Sequence, residues 1–149
     1  MKYQKTEKKE FEEKVIEISR ISRTVKGGRR IRFRALVVIG NRNGKAGYGV
    51  AKSTEVVDAI SKAINQAKKK MLTIQLNEHK SISREIKVKY ASAQVILKPA
   101  TTGTSLVAGG PVRSVVEAFG INNIISKNIG SANKINIVKA VFLALKRLS

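Results

Sequence analysis

The sequence predicts an α+β fold in each half of the chain. In both halves, segments whose apolar residues alternate with period two are followed by segments whose apolar residues recur every three or four positions. Hydrophobic residues make up 42% of the 149 residues, which is enough to build a core. We therefore expect sheets covered by helices, in one medium domain or two small ones.

A β-hairpin is predicted at the start of the first half. Its first strand, residues 15–25, changes the phase of its alternation once, which indicates a β-bulge near Ser19 and Arg20. Its second strand alternates arginines with apolar residues, which predicts one basic face and one apolar face that needs a cover. The basic face carries Arg30, Arg32 and Arg34, and the apolar face carries Ile31, Phe33, Ala35, Val37 and Ile39.

The turn of this hairpin is basic and contains two glycines. Lys26, Gly27, Gly28 and Arg29 join the strands. Paired glycines permit positive φ and leave the backbone open to close approach. A solvent-exposed turn selected for its geometry alone is one interpretation. The surrounding arginines favour the other, which is contact with a polyanion.

A second turn and a third strand complete the predicted three-stranded sheet. The turn is predicted at residues 41–44, because Asn43 and Gly44 suit the left-handed conformations of a two-residue connection. The third strand, residues 45–51, contains Gly47 and Gly49, whose missing side chains let a helix or another backbone approach closely.

Residues 55–71 predict the helix that covers this sheet, with Ser53 or Thr54 as its cap. Acidic residues in the first turn and lysines in the last oppose the helix dipole, which accounts for the lysines at 68–70 without an RNA contact. The predicted apolar stripe is Val56, Ile60, Ile64, Ala67 and Met71.

The second half predicts further strands and two helices. Alternation returns at residues 86–90, a short apolar run follows, and residues 121–127 form another candidate strand. Pro111 suits the first position of a helix that stops at Gly120, and Asn133 suits the cap of a final helix. The predicted division is a tail at residues 1–10, a first domain at 11–74, a linker at 75–84 and a second domain at 85–149.

The charge of the chain predicts a polyanionic partner. Thirty Lys and Arg residues against ten Asp and Glu residues leave a formal charge of +20, and no acidic residue lies between Glu17 and Glu55. Such self-repulsion calls for a counter-charge. A nucleic acid supplies one and gains affinity from counterion release. Net charge alone does not distinguish RNA, DNA and an anionic membrane.

No catalytic site, metal site or cofactor is predicted. The chain has no cysteine and one histidine, His79, which excludes disulfides, thiolate sites and multi-histidine sites. Residues 40–45 resemble a phosphate loop, but the glycines stand one residue too close together and Ala46 replaces the hydroxyl residue that holds magnesium. A GXXG match at residues 44–47 lies between strands instead of helices. We therefore expect no enzyme.

The start of the chain predicts no secretion signal, because residues 1–14 lack an apolar stretch and contain four glutamates. No run approaches the roughly 18 apolar residues that cross a bilayer. We expect a soluble protein.

Several segments resemble the bacterial-type family of the fifth protein of the small ribosomal subunit, in collinear order over about residues 11–148. They are TVKGGR at 24–29, GKAGYG at 44–49, PATTGT at 99–104, AGGPVR at 108–113 and GSAN at 130–133. The resemblance implies an N-terminal double-stranded-RNA-binding-like domain, with a three-stranded antiparallel sheet and a helix. It also implies a second two-layer α+β domain with a left-handed βαβ crossover. The chain stops soon after its last predicted helix, so contacts that relatives make through a longer C-terminal tail are not carried over.

The resemblance implies a structural constituent of the small ribosomal subunit that binds 16S-type rRNA. Such proteins fix the head against the body, influence translational accuracy and line the mRNA entry region. The implied partners are small-subunit rRNA, mRNA at the entry side and small-subunit ribosomal proteins four and eight, with no membrane. The implied location is the ribosome, in the bacterial cytoplasm or in an organelle.

Candidate RNA contacts combine the basic residues with the hairpin turn, since residues 22–29 correspond to the family's loop near the spectinomycin site. Arginine suits this task because its planar fork can grip a phosphate through two hydrogen bonds. Arg34 has an alternative role as a partner of Glu55 or another carboxylate. The predicted RNA-binding residues are Arg20, Ser22, Arg23, Thr24, Lys26, Gly27, Gly28, Arg29, Arg30, Arg32, Arg34, Arg42, Lys45 and Lys52.

Two other functions stay open at this point. An RNA chaperone or double-stranded-RNA regulator working off the ribosome would have the same basic surface, but would not occur at one copy per small subunit. A nucleotide-dependent enzyme would require ATP-dependent turnover, which the broken phosphate loop does not support.

Overall fold

A computed structural model describes residues 10–149, so the predicted tail at residues 1–10 lies almost entirely outside the described residues. The described part contains two four-stranded sheets and three helices. None of these helices is long and apolar enough to span a membrane. The elements are β1 (Glu12–Val25), β2 (Gly28–Gly40), β3 (Lys45–Ser53), α1 (Val56–Lys69), β4 (Met71–Thr73), β5 (Ile86–Tyr90), β6 (Ala93–Pro99), β7 (Leu106–Val107), α2 (Gly110–Phe119), β8 (Ile124–Gly130) and α3 (Lys134–Leu148).

The first sheet is antiparallel, with strand order β1-β2-β3-β4, and α1 packs on one of its faces. The predicted α+β class with a sheet and helix in each half is confirmed. The short strand β4 is one more than the three strands predicted for this sheet, because the chain returns beside β3 directly after α1.

The β-bulge in β1 lies between Val15 and Glu17, and the prediction near Ser19 and Arg20 was wrong. The bulge turns Ile16 toward the core, where it packs. The phase slip was visible in the sequence, but Ile18 is 44% exposed and therefore does not mark the buried face.

The cap predicted for α1 was also wrong. Glu55 occupies the N-cap position and makes no capping hydrogen bond through its side chain. Ser53 is instead the last residue of β3, opposite Phe33, and its hydroxyl accepts a hydrogen bond from Lys62 Nζ at 3.4 Å. The ladder with β2 therefore holds the candidate cap residue in the sheet.

The contact between α1 and β3 is very close, as the glycines of β3 predict. A Cβ on Gly47 or Gly49 would collide with main-chain atoms of α1 and the residue after it. The fully buried residues of α1 are alanines, because larger side chains do not fit at this distance, while Ile60 and Ile64 of the predicted stripe flank the contact. These alanines are Ala59, Ala63 and Ala67.

The connection between β2 and β3 comprises residues 41–44, which is the predicted turn segment, but it is a four-residue loop and not a two-residue connection. Asn41 shapes it, because its side-chain Oδ1 accepts hydrogen bonds from the amides of Asn43 at 2.8 Å and Lys45 at 3.1 Å. Arg42 and Gly44, and not Asn43, have positive φ.

The second sheet has strand order β5-β6-β8-β7. β7 and β8 are parallel and α2 connects them, which forms the βαβ crossover; its hand stays a prediction. Two local predictions are confirmed: Gly120 ends α2 with φ 84°, and Asn133 caps α3 by accepting a hydrogen bond from the Ile135 amide at 3.1 Å. β8 begins at Ile124, three residues later than predicted.

The two halves share one core, because α2 and α3 pack against the face of the first sheet opposite α1. Tyr48 of β3 meets Phe142 of α3 with ring centroids 4.7 Å apart. Lys14 Nζ lies 2.9 Å from Glu117 Oε2 and adds an ion pair across the junction. The largest fully buried side chains of this core include Leu36, Val38, Val88, Val95, Leu97, Val115, Phe119, Ile121 and Leu145.

The turn at residues 41–44 docks on the C-terminal end of α2. The amide of Arg42 donates to the Ala118 carbonyl at 3.0 Å, and the amide of Gly44 donates to the Phe119 carbonyl at 2.7 Å. These bonds satisfy carbonyls that the end of a helix leaves without partners. A Cβ on Gly120 would overlap the carbonyl of Arg42, so glycine is required there.

The predicted linker, residues 75–84, contains no helix or strand but is packed against the rest of the chain. Ile82 belongs to the shared core, and Ser81 Oγ donates to the Asn123 carbonyl at 2.6 Å. The segment therefore adds to the core instead of separating two independent bodies, and the domain bounds stay predictions.

We expect Gly120→Ala to destabilise the whole protein. The added methyl group meets the Arg42 carbonyl and is attached to a residue with φ 84°, so a loss of about 2 kcal/mol or more in the free energy of unfolding is expected. Gly110→Ala is the matched control, because a Cβ there meets nothing within 4 Å. Urea denaturation measures both; equal stability of the two variants would show that the docked turn tolerates displacement.

Candidate nucleic-acid interface

The first hairpin extends beyond the rest of its sheet. Phe33 is the last residue of β2 that pairs with β3, so residues 21–32 form a two-stranded arm. Lys26 and Gly27 make its turn, and a Cβ on Gly27 or Gly28 would meet nothing within 4 Å. The backbone at the tip is therefore open to a partner, as the turn residues predicted.

One face of this sheet collects most of the predicted arginines. Side chains opposite each other on antiparallel strands point to the same side, and so do alternate residues along a strand. By the register, one face therefore carries a set of five cations, which we call the basic face. Its members are Arg23, Arg30, Arg32, Arg34 and Lys52.

The basic face places like charges directly opposite each other. Arg23 pairs with Arg30 across the first two strands, and Arg34 pairs with Lys52 across the next two. Like charges in such positions destabilise a sheet. Within residues 10–149, none of these side chains forms an ion pair, so the alternative pairing of Arg34 with Glu55 does not occur there. Since no carboxylate of the described residues pairs with them, these cations are available to an external anion.

The opposite face of the sheet carries Ser22, Thr24 and Arg29 on the arm and Arg20 at its base. The register sets Ser22 beside Ile31, Arg20 beside Phe33, and Thr24 beside Arg29. The structure therefore divides the predicted arm residues between two faces. A partner that contacts all of them has to reach around the arm.

Arg42 and Lys45 lie at the other end of β2, about 40 Å from the tip at the usual rise of a strand. Both already have partners: Arg42 Nη2 lies 2.8 Å from Glu12 Oε2, and Lys45 Nζ lies 5.9 Å from the centre of the Phe11 ring. The structure does not bring these two residues together with the others.

The resemblance of residues 40–45 to a phosphate loop has no functional counterpart in the structure. A phosphate loop binds through free backbone amides. Here the amides of Arg42 and Gly44 are occupied by carbonyls of α2.

The basic face continues into the second half through residues that sequence reasoning missed. Lys52 lines both a depression on the arm and a second, neighbouring depression. The second depression is also lined by Arg34, by Lys70 of the α1–β4 connection and by Lys139 of α3. A third shares Lys70 and Lys139 with the second and ends at Lys146. Among residues 10–149, no Asp or Glu lines any of the three. The basic track, as we call this path, consists of Arg23, Arg30, Arg32, Arg34, Lys52, Lys70, Lys139 and Lys146.

The added lysines were missed for identifiable reasons. Lys70 was attributed to compensation of the helix dipole. Lys139 and Lys146 stand seven residues apart, which places them on one face of α3. That spacing was a usable signal, but only the packing of α3 beside the first sheet shows where this face points.

Two comparisons with known families agree with this arrangement. Residues 11–75 match the family described as Ribosomal protein S5, N-terminal domain, and residues 88–149 match Ribosomal protein S5, C-terminal domain. Since the matches cover most of the chain in the expected order, the molecule is a protein of the small ribosomal subunit. It belongs to the ribosomal protein S5 family, which is a family of structural proteins and not of enzymes.

We expect Lys52→Gln to stabilise the free protein at low salt. The change removes the like charge opposite Arg34, so the free energy of unfolding should rise by up to about 0.5 kcal/mol. The gain should vanish near 1 M salt, where the Debye length falls to about 3 Å. Lys89→Gln is the matched control, because Lys89 lies opposite the neutral Gln94. Equal effects of both changes in denaturation curves would mean that net charge alone, and not the opposed pair, is responsible.

Proposed function

We propose that this chain binds small-subunit, 16S-type rRNA through its arm and basic track, as a structural constituent of the subunit. The observation that carries the proposal is the pair of like-charge oppositions, Arg23 with Arg30 and Arg34 with Lys52, on a face without a carboxylate partner in the described residues. Family membership supports ribosomal RNA as the polyanion.

The proposed mechanism separates affinity from placement. Arginines along β2 and on β1 neutralise phosphates, and counterion release supplies the affinity. The sheet fixes the spacing of these cations, while the shared core fixes the arm relative to the second half. A body of this kind can hold two RNA elements at a set distance, which supports a role in fixing the head of the subunit against its body and, through this, in translational accuracy.

We also propose contacts with mRNA at the entry side and with small-subunit ribosomal proteins four and eight. These partners, and a location in ribosomes of the cytoplasm or of an organelle, are supported by family membership. The proposed first contacts with rRNA are the arginines on both faces of the sheet and the arm residues Ser22, Thr24, Lys26, Gly27 and Gly28. Arg42 and Lys45 are proposed only as contacts of a separate surface.

Changing Arg30, Arg32 and Arg34 together to Gln should weaken binding to many RNA sequences about equally. The slope of log K against log salt should become shallower by about 2 to 3, because up to three phosphate contacts are lost. Filter binding or fluorescence anisotropy at several salt concentrations measures this slope.

The matched control changes Lys87, Lys89 and Lys127 to Gln, which removes the same formal charge from exposed positions on the second sheet. If the control flattened the slope as much as the arginine variant does, net charge would explain binding and the basic face would have no special role.

A sucrose gradient distinguishes a ribosomal component from an RNA-binding protein that works off the ribosome. We expect near-equal amounts of this chain and small-subunit rRNA in the small-subunit fractions at moderate salt. Quantitative mass spectrometry of the fractions provides the ratio. A free pool, or far less than one copy per subunit, would favour the RNA chaperone or regulator.

A further inference from the structure

The basic track ends in a groove between the two halves whose chemistry differs from that of the arm. The groove has a volume of about 520 Å³, which lies within the usual range for binding sites. Its walls come from β3, from the residues that follow α1, from β5 and from α3. The groove therefore exists only because the two halves are docked together.

The lining of this groove combines aromatic, apolar and cationic side chains. Tyr48 and Tyr90 stand in its walls, Leu72 and Leu143 are among its apolar residues, and Lys70, Lys139 and Lys146 supply its positive charge. By contrast, the depression on the arm has arginines and a lysine but no aromatic residue.

The two tyrosines differ in how firmly their rings are packed and how exposed they are. Tyr48 packs against Phe142 at 4.7 Å between ring centroids and is half-buried, so its position is fixed by the core. Tyr90 is 36% exposed, and Lys139 Nζ lies 5.4 Å from the centre of its ring. Tyr90 thus offers an accessible ring beside a cation, which is the combination that holds a base and its phosphate.

We propose that this groove binds an unpaired stretch of RNA, with a base against Tyr90 and phosphates on Lys70, Lys139 and Lys146. The proposal rests on the rRNA-binding function argued above and assigns a second mode of contact to it. Bases inside a double helix are stacked on each other and cannot reach a tyrosine ring, whereas unpaired bases can. Arginines without aromatic neighbours, as in the depression on the arm, can contact the phosphates of paired RNA as well as those of unpaired RNA.

The continuity of the basic track explains how one RNA reaches both places. Lys52 lines both the depression on the arm and the second depression. Lys70 and Lys139 line both the second depression and the groove. A strand that leaves a duplex on the arm therefore meets cations without interruption until it reaches Tyr90. The proposed ligand is a paired segment followed by an unpaired one.

The test uses the full chain and two RNA probes, a blunt hairpin and the same hairpin with a single-stranded extension of about six nucleotides. The unmodified chain should bind the extended probe more tightly. Tyr90→Leu should reduce that preference about fivefold or more, since stacking on one aromatic side chain is worth about 1–3 kcal/mol. Tyr90→Phe should retain the preference, because it keeps the ring, and binding of the blunt hairpin should be the same in all three chains.

A charge comparison completes the experiment. Lys139→Gln should reduce the preference for the extended probe, and Lys87→Gln, on the other face of the second sheet, should not. Equal affinity of the unmodified chain for both probes, or equal preference in Tyr90→Leu and Tyr90→Phe, would overturn the proposal.

The failure of the groove proposal can be told from failure of the proposed function. The groove proposal is tested only by the difference in affinity between the extended and the blunt hairpin. The rRNA-binding function is judged by binding of the blunt hairpin and its loss when Arg30, Arg32 and Arg34 are changed.

Discussion

The docking of one turn on the end of α2 joins the two halves of the molecule through main-chain hydrogen bonds. The last carbonyls of α2 accept hydrogen bonds from the amides of Arg42 and Gly44, and Gly120 leaves room for this approach. With α2 held in place, α3 lies across the same face of the first sheet. Because α3 carries Lys139 and Lys146, the uncharged packing between the two halves also places the end of the basic track.

A single face of β2 serves two opposite purposes along its length. Leu36 and Val38 are buried against the second half, while Arg32 and Arg30, on the same side of the strand, are exposed on the arm. The residues on this face change from arginine to Leu36 and Val38 at the point where the second half begins to cover it. The exposed basic face therefore begins where the second half no longer covers the sheet. Beyond that limit, the protein carries like charges directly opposite each other, which destabilise the free sheet slightly.

Features fixed by local chemistry could be predicted from the sequence. The cap at Asn133 and the stop at Gly120 are of this kind, because each depends on hydrogen bonds or backbone angles within a few residues. Features fixed by distant contacts could not. Ser53 appeared suited to a cap until its pairing with Phe33 was known, and the burial of Leu36 depends on elements far along the chain. The candidate site divides in the same way, since the alternation of β2 revealed its arginines, whereas Lys139 joins them only through packing.

The geometry of the arm also helps to distinguish an RNA partner from an anionic membrane, which net charge alone could not do. Arg23 and Arg30 point to one side of the two-stranded ribbon, and Arg29, with Arg20 at the base of the ribbon, points to the other. A membrane presents its negative charge in a single plane, so it can neutralise one side of such an arm and leaves the other side exposed. A folded RNA can surround a narrow ribbon, because its phosphates lie on several helices and connecting strands. The distribution of the arginines, more than their number, therefore favours a folded RNA as the partner of this surface.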